Sequence, residues 1–257
     1  VDLLFPHHEN EIAQSECCSS TTFANFWVHN NLINFDNQKM SKSIGNIIKG
    51  RDFINEYNPE IFKFLILSVH YRSILNFNKK LINQTIVNLI KIYSALSLAE
   101  RISNSKVEII KSKEYKNDFD VYSKKVSDFI NNDFNTPGFF SIIFEIIRKF
   151  NLLGVNKKVT GELKHFSISI LDFFKKYGGL LGLFQEPKSS FLEDLNLLIL
   201  NSRKINLEDI EKAIIKRDKA RKDKDYNLSD EIRDSLANEG IDLNDNPDGS
   251  TGWSVQV

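Results

Sequence analysis

The sequence predicts a mainly α-helical protein. Phenylalanine is abundant (20 residues) whereas glycine (11) and proline (5) are scarce, a composition poor in turn formers. Apolar residues recur at helical spacing, most clearly at Phe140, Ile143, Phe144 and Ile147, and at Ile82, Ile86, Leu89, Ile90 and Tyr93. A start signal, Asn58-Pro59, stands just ahead of the stripe Ile61, Phe64, Leu65 and Ser68.

Taken in order, a short apolar run (Leu3–Phe5) leads into a helix expected from Pro6, whose missing N–H costs nothing in a first helical turn. A loop-rich stretch then runs to Gly50. Residues 51–100 read as helical, and the Lys/Ser/Glu-rich residues 103–117 as a linker. A second helical block spans 118–186, with a polar loop at 155–162 and Thr136 as a candidate cap. Gln185-Glu186-Pro187-Lys188-Ser189-Ser190 marks a break. The last block, 206–257, reads as two short helices followed by an irregular Gly/Pro/Asp tail. Leu228, Ile232 and Leu236 form a packing stripe there, and Gly240 is the expected helix stop. The length of 257 residues allows two or three domains of ~100–200 residues each.

Composition excludes several classes. Lys+Arg and Asp+Glu each number 34, so the formal charge is zero; global attraction to nucleic acid is excluded, a local basic patch is not. Charged residues make up 26% and hydrophobic residues 41%, the balance of a soluble globular chain. No apolar run reaches the ~18 residues of a membrane span, and the start lacks the pattern of a signal peptide. Cys17 and Cys18 are adjacent and badly placed for a disulfide, which points to a reduced, cytoplasmic chain. The first residue is Val and leads straight into a dense polar motif, so a piece of a longer protein is expected.

Three constellations carry chemistry. In Pro6-His7-His8-Glu9-Asn10-Glu11, His7 and Glu11 stand four apart, and on one helix they share a face. An imidazole and a carboxylate so placed suit zinc; a plain polar helix start, favoured by the helix dipole, is the alternative. Cys17 and Cys18 lie two or more turns further on, too far to complete such a site easily. Lys39-Met40-Ser41-Lys42-Ser43, followed by Ile44-Gly45-Asn46, makes a cationic loop rich in donors. It suits the charge that develops on a leaving pyrophosphate, or it is an ordinary solvated loop. Between Glu211 and Lys224, seven basic residues stand against three acidic ones, close to Tyr226. That suits phosphates and stacked single-stranded bases, or a solvated helix pair.

These residues carry a specific resemblance. DLLFPHHENEIAQSE (2–16), KMSKSIGN (39–46), HYRSILNF (70–77), NNDFNTP (131–137) and the stretch from Ala220 to Trp253 follow one another as in the cysteinyl-tRNA synthetase family of class I aminoacyl-tRNA synthetases. The resemblance implies the C-terminal remnant of a Rossmann-type class I catalytic core carrying the KMSKS loop, then an α-helical bundle, then a small anticodon-binding domain. The implied ranges are 1–50 for the end of the core, 51–115 for a helical connector, 116–187 for the bundle and 206–257 for the anticodon domain. Family members carry a HIGH-type ATP motif and two zinc-ligand cysteines ahead of this point. Neither is in these residues, so the chain alone is expected to be inactive.

By matched position, His7 and Glu11 are implied zinc ligands and His8 a neighbouring non-ligand. Lys42 is the implied ATP-contacting lysine, Lys39 its support, and Met40, Ser41 and Ser43 complete the ATP-binding loop. Asp2 is placed near the adenosine. Arg221, Tyr226, Asp230 and Asp245 are implied tRNA contacts, while Trp27 and His29 read as packing residues and Trp253 as packing or stacking. The implied reaction activates L-cysteine with ATP and magnesium and passes cysteine to tRNA(Cys). Zinc selects the substrate thiolate over the hydroxyl of serine. The expected partners are tRNA(Cys), L-cysteine and ATP, with no membrane, and the expected state is a monomer. The alternatives are a non-catalytic tRNA-binding fragment and a cysteine:amino-sugar ligase of related fold. The latter lacks a tail like residues 206–257.

Overall fold

Helix dominates the computed structural model, which describes residues 3–40, 45, 48–154, 158–245 and 251–256. Two compact units are present: residues 1–82 with 113–146, and residues 83–112 with 147–257. Their boundaries fall inside two helices, α4 (Lys79–Ser103) and α6 (Thr136–Gly154). The division therefore differs from the ranges read from sequence, with 51–115 and 116–187 each contributing to both units.

The first unit opens with a π-helical turn, Leu4–His8, ahead of α1 (Glu9–Ser19). Pro6, preceded by a cis peptide bond, sits in that turn and not at the start of α1 as the sequence suggested. Three strands follow, which sequence reading missed: β1 (Ile33–Phe35), β2 (Gln38–Lys39) and β3 (Leu75–Phe77). They order as β2-β1-β3. β1 and β3 pair in parallel, Asn34 opposite Asn76, as expected for part of a parallel α/β core. β1 and β2 form a hairpin whose two turn residues, Asp36 and Asn37, both have positive φ (46° and 63°). Asp and Asn tolerate that conformation, and it matches the strand twist. Asn37 and Asn76 exchange hydrogen bonds at 2.6 and 2.7 Å, which ties the hairpin tip to β3.

Between β1 and β3 lie α2 (Gly50–Glu56) and α3 (Pro59–Leu67). The Asn58 side chain caps α3 by accepting the Glu60 N–H at 2.7 Å, and Ile61, Phe64 and Leu65 are buried as their spacing predicts. Ser68 closes the helix as its C-cap, so its place in the stripe serves to end the helix. α5 (Lys113–Asn131) starts inside the expected linker, leaving residues 104–112 as the connection. At the head of α6, Asn135 accepts the Gly138 N–H at 2.9 Å. Asn135 is therefore the cap expected at Thr136, because its side-chain oxygen reaches an otherwise unpaired helix N–H.

The second unit is built on α7 (Gly161–Leu181) and α8 (Lys188–Arg203), with most of α4 and the end of α6. Phe150 stacks on Phe166 at 6.2 Å and Tyr93 meets Phe191 edge-on at 4.7 Å, all four fully buried or nearly so. Each such ring contributes ~1.5–3 kcal/mol by leaving water. A Cβ on Gly161 would lie 2.4 Å from the Glu108 carbonyl oxygen, so only glycine lets the 104–112 connection pass this close. The helical chain breaks between Leu181 and Lys188, earlier than the expected 185–190, since Lys188, Ser189 and Ser190 already form the first turn of α8.

The tail corrects the sequence reading. Helices α9 (Leu207–Lys222) and α10 (Tyr226–Asn238) form as expected, and Gly240 ends α10 with φ 79°. The following residues are not irregular: β4 (Ile241–Asp245) and β5 (Thr251–Val255) pair antiparallel, Leu243 opposite Trp253. Ile241, Leu243 and Val255 are buried beneath this hairpin. Arg203 of α8 donates to the carbonyls of Gly240 (3.2 Å) and Gln256 (3.1 Å). Val255 N–H reaches the Asn196 side chain at 3.3 Å.

Candidate functional site

The residues singled out above fall in three places. At the start of the first unit, His7 is the last but one residue of the π-helical turn and Glu11 lies in the first turn of α1. Both side chains are exposed, and α1 buries none of its residues. Their nitrogen and oxygen donors match the chemistry of zinc and would supply two of its usual four positions. No group of three or more His, Cys, Asp or Glu side chains able to hold a metal occurs among the described residues. The fit is that of half a site. Cys17 and Cys18 are free and exposed on α1.

His8, the neighbour of the candidate ligand, is engaged elsewhere. Its Nδ1 lies 2.8 Å from His29 Nε2, and Trp27 lies against both rings at 5.4 and 6.2 Å. Sequence reading treated Trp27 and His29 as packing residues; the structure makes them a ring cluster beneath His8, at the root of the His7 turn. Phe23 lies 5.8 Å from the Trp27 ring, and Phe5 and Phe26 in the same segment are exposed, the latter 89%.

Lys39 is the last residue of β2, so the KMSKS segment leaves from the edge strand of the sheet. Met40 is half-buried. Ser41, Lys42, Ser43 and Asp2 lie outside the described residues, as does the side chain of Lys39.

The second place joins two sequence motifs that are about sixty residues apart. Tyr71 Oη donates to Asp133 Oδ1 at 2.5 Å, and Arg72 donates to both Asp133 oxygens at 2.6 and 3.1 Å. His70 Nε2 lies 2.9 Å from the Asp133 carbonyl oxygen. Asp133 and Phe134 both hold positive φ (54° and 53°), a strained turn that these bonds stabilise. The Arg72 and Tyr71 hydrogen bonds hold the Asp133 carboxyl down at about 2, and the same bond to Asp133 raises the Tyr71 phenol. Beside this clasp opens a cleft of about 400 Å³, lined chiefly by apolar residues including Val28, Leu32, Ile66 and Phe134. Sequence reading assigned these motifs no contact. Their link is invisible to local periodicity, since it rests on side chains from a loop and a turn.

The third place is the tail. Arg221 and Asp245, both read as tRNA contacts, meet directly: Arg221 Nη1 donates to Asp245 Oδ1 at 2.7 Å. Arg217, which sequence reading passed over, donates to the same carboxylate at 2.9 and 3.4 Å and to Thr251 Oγ1 at 3.0 Å. Thr251 in turn donates to Asp218 at 2.8 Å. Arg217, first among the causes, holds the Asp245 carboxyl below its ordinary range. Tyr226 opens α10 and is 63% exposed, and Asp230 is exposed four residues later on the same face. Trp253 is half-buried across from Leu243. One signal was present for Arg217: it stands four residues before Arg221, which places both guanidinium groups on one face of α9.

Comparison with known proteins is consistent along the chain. Residues 1–87 match the family described as tRNA synthetases class I (C) catalytic domain, and residues 125–185 match the DALR domain. The cysteine–tRNA ligase of Bdellovibrio bacteriovorus is 39% identical over 256 residues, covering 99% of this chain and 53% of that protein. The cysteine–tRNA ligase of Maridesulfovibrio salexigens is 38% identical over 259 residues, with the same coverage. The chain thus spans about half the length of the curated relatives it matches. Across essentially all its residues, therefore, this mainly α-helical chain resembles the cysteine–tRNA ligases, with a class I synthetase catalytic-domain region followed by a DALR region.

Proposed function

We propose that these residues act as part of a cysteine–tRNA ligase, which activates L-cysteine with ATP and transfers it to tRNA(Cys). The observation that carries the reading is the 39% identity across 99% of the chain, because one alignment takes in the His7–Glu11 pair, the KMSKS loop and the tail. Lys42, supported by Lys39 and by the donors of Ser41 and Ser43, neutralises charge on the departing pyrophosphate. That role is electrostatic and positional, which suits a loop of point charges and hydroxyls. His7 and Glu11 would hold a zinc ion, which accepts both an imidazole nitrogen and a carboxylate oxygen. When bound, that ion prefers a substrate thiolate to a hydroxyl, and so separates cysteine from serine. The contact of His8 with His29 supports the turn that carries His7.

The tail binds the anticodon. Exposed Tyr226 offers a stacking face, Asp230 and Asp245 offer acceptors to base edges, and Arg221 offers donors. No helix among the described residues is long and apolar enough to cross a membrane, and we assign the protein to the cytoplasm, as a monomer. Filter binding tests the RNA half of the reading. The purified chain is expected to retain tRNA(Cys) in preference to a tRNA of unrelated anticodon, and equal retention rejects the assignment. Cysteine-dependent pyrophosphate exchange by the purified chain is expected to be absent, since half the metal ligands lie elsewhere; robust exchange overturns the shared zinc site.

A further inference from the structure

We propose that Arg217 is a positioning residue for RNA recognition, whose buried guanidinium fixes the Asp245 carboxylate as a preoriented acceptor for an N–H group on an unpaired base. The proposal rests on the reading of the tail as an anticodon binder. It concerns a residue that the resemblance gave no role.

Arg217 is only 5% exposed, and removing a guanidinium from water is costly unless it is well paired. Here its two terminal nitrogens are paired as a fork, while the buried Nε has no partner among the described residues. One nitrogen reaches Asp245 Oδ1 and Thr251 Oγ1, and the other reaches Asp245 Oδ2. Asp245 is the last residue of β4 and Thr251 the first of β5, so one side chain of α9 grips both strand ends flanking residues 246–250. Such a grip serves the hairpin, but it also governs what Asp245 can do.

Asp245 is 47% exposed, unlike the arginine behind it. An ionised carboxylate offers about four acceptor directions. Oδ1 already takes two N–H bonds, one each from Arg217 and Arg221, whereas Oδ2 takes one long contact of 3.4 Å among the described residues. Acceptor capacity therefore remains on Oδ2. Arg221, 42% exposed, spends one of its five donors on Asp245. The two side chains present an acceptor and a donor side by side, the pattern found along the pairing edge of a nucleobase. Without Arg217, the carboxylate would answer to Arg221 alone, and the pair would have to be ordered and partly broken on binding. With Arg217 in place that ordering is already complete, which lowers the cost of association.

The test uses the full chain and labelled anticodon stem–loops: that of tRNA(Cys), and the same loop with each anticodon base replaced in turn. Fluorescence anisotropy gives the affinities, and thermal melting checks folding of each variant. The unaltered chain is expected to prefer the tRNA(Cys) loop over at least one replaced loop by ~tenfold, the scale of one good base-edge contact. Arg217→Met is expected to shrink that preference to about twofold, as is Asp245→Asn, with the double variant no worse than either. Arg217→Lys keeps the charge without the fork and is expected to fall between. A folded Arg217→Met chain that keeps the full preference overturns the proposal. So does an unaltered preference in Arg217→Lys should the methionine variant fail to fold. If the unaltered chain shows no preference among the loops, the anticodon reading itself fails and the proposal falls with it.

Discussion

The two regions that hold the candidate ligand-binding residues are built in opposite ways. Around His7 and Glu11, helix α1 buries nothing, and Phe5 and Phe26 stand in solvent. Around Arg221 and Asp245, a buried arginine, a threonine and a second aspartate tie two strands to a helix. Within the described residues, one region holds its candidate residues on a turn and a helix that bury none of their side chains. The other holds them in a closed network of charge-assisted hydrogen bonds. The lesson is that a functional motif and a self-supporting structure are separate properties. The first needs only donors in sequence; the second needs burial.

Function should separate the regions most sharply. In a ligase containing these residues, Lys42→Ala should slow cysteine activation by ~10²–10³-fold, the usual loss for one electrostatic contact to a transition state. Binding of tRNA should hardly change. Arg221→Ala should do the reverse, weakening tRNA binding and sparing adenylate formation. Both rates follow from pyrophosphate exchange and filter binding, and a single pattern shared by both variants would erase the contrast.

Stability should separate them next. Ile241, the first residue of the tail hairpin, is fully buried, so Ile241→Ala should cost ~2–4 kcal/mol in denaturant unfolding. Ile12 is half-buried on α1, and Ile12→Ala should cost less than ~1 kcal/mol. Equal losses would show that α1 is as well supported as the tail.

Acid should act on a third element, the clasp. The Asp133 carboxyl is depressed to about 2 in the folded chain. Its contribution to stability is complete above the ordinary carboxylate range of about 4, and fades as pH falls from there toward about 2. Asp133→Asn should therefore flatten the decline of Tm across that window, and an unchanged slope would remove the clasp from the acid response. The smallest effect concerns metal. Zinc titrated into the chain should bind weakly, since two ligands do not close a tetrahedral site, and His7→Ala should abolish the response. A tightly held stoichiometric ion would mean that this region is more complete than its open helix indicates.

Much of the helical frame was legible in the residues. Asn58-Pro59 announced α3, the stripe at Phe140–Ile147 announced α6, and Gly240 stopped α10, because each signal acts over one or two helical turns. The strands were not legible. β1, β2 and β3 hold two or three residues each, too few for an alternation to register. In the tail, Ile241 and Leu243 are the only apolar pair in a run of acidic and amide residues, so β4 read as irregular. Asn135 in place of Thr136 as the cap was a choice between two good capping residues one position apart, which geometry alone settles.

By itself, the sequence determined the kind of chemistry: an imidazole and a carboxylate at helical spacing, a cationic serine-rich loop, and a basic helix beside an exposed tyrosine. These are properties of residue type and short spacing, and they survive in any conformation that keeps the local helix. Only the tertiary structure decided that Tyr71 and Arg72 would hold Asp133, that His8 would pair with His29, and that Arg217 would anchor Asp245. Those pairings join residues 21 to 62 positions apart. Their geometry comes from the tertiary approach of distant backbone segments, exposed at the clasp and buried only at Arg217, and no pattern in a linear chain specifies which distant groups will meet.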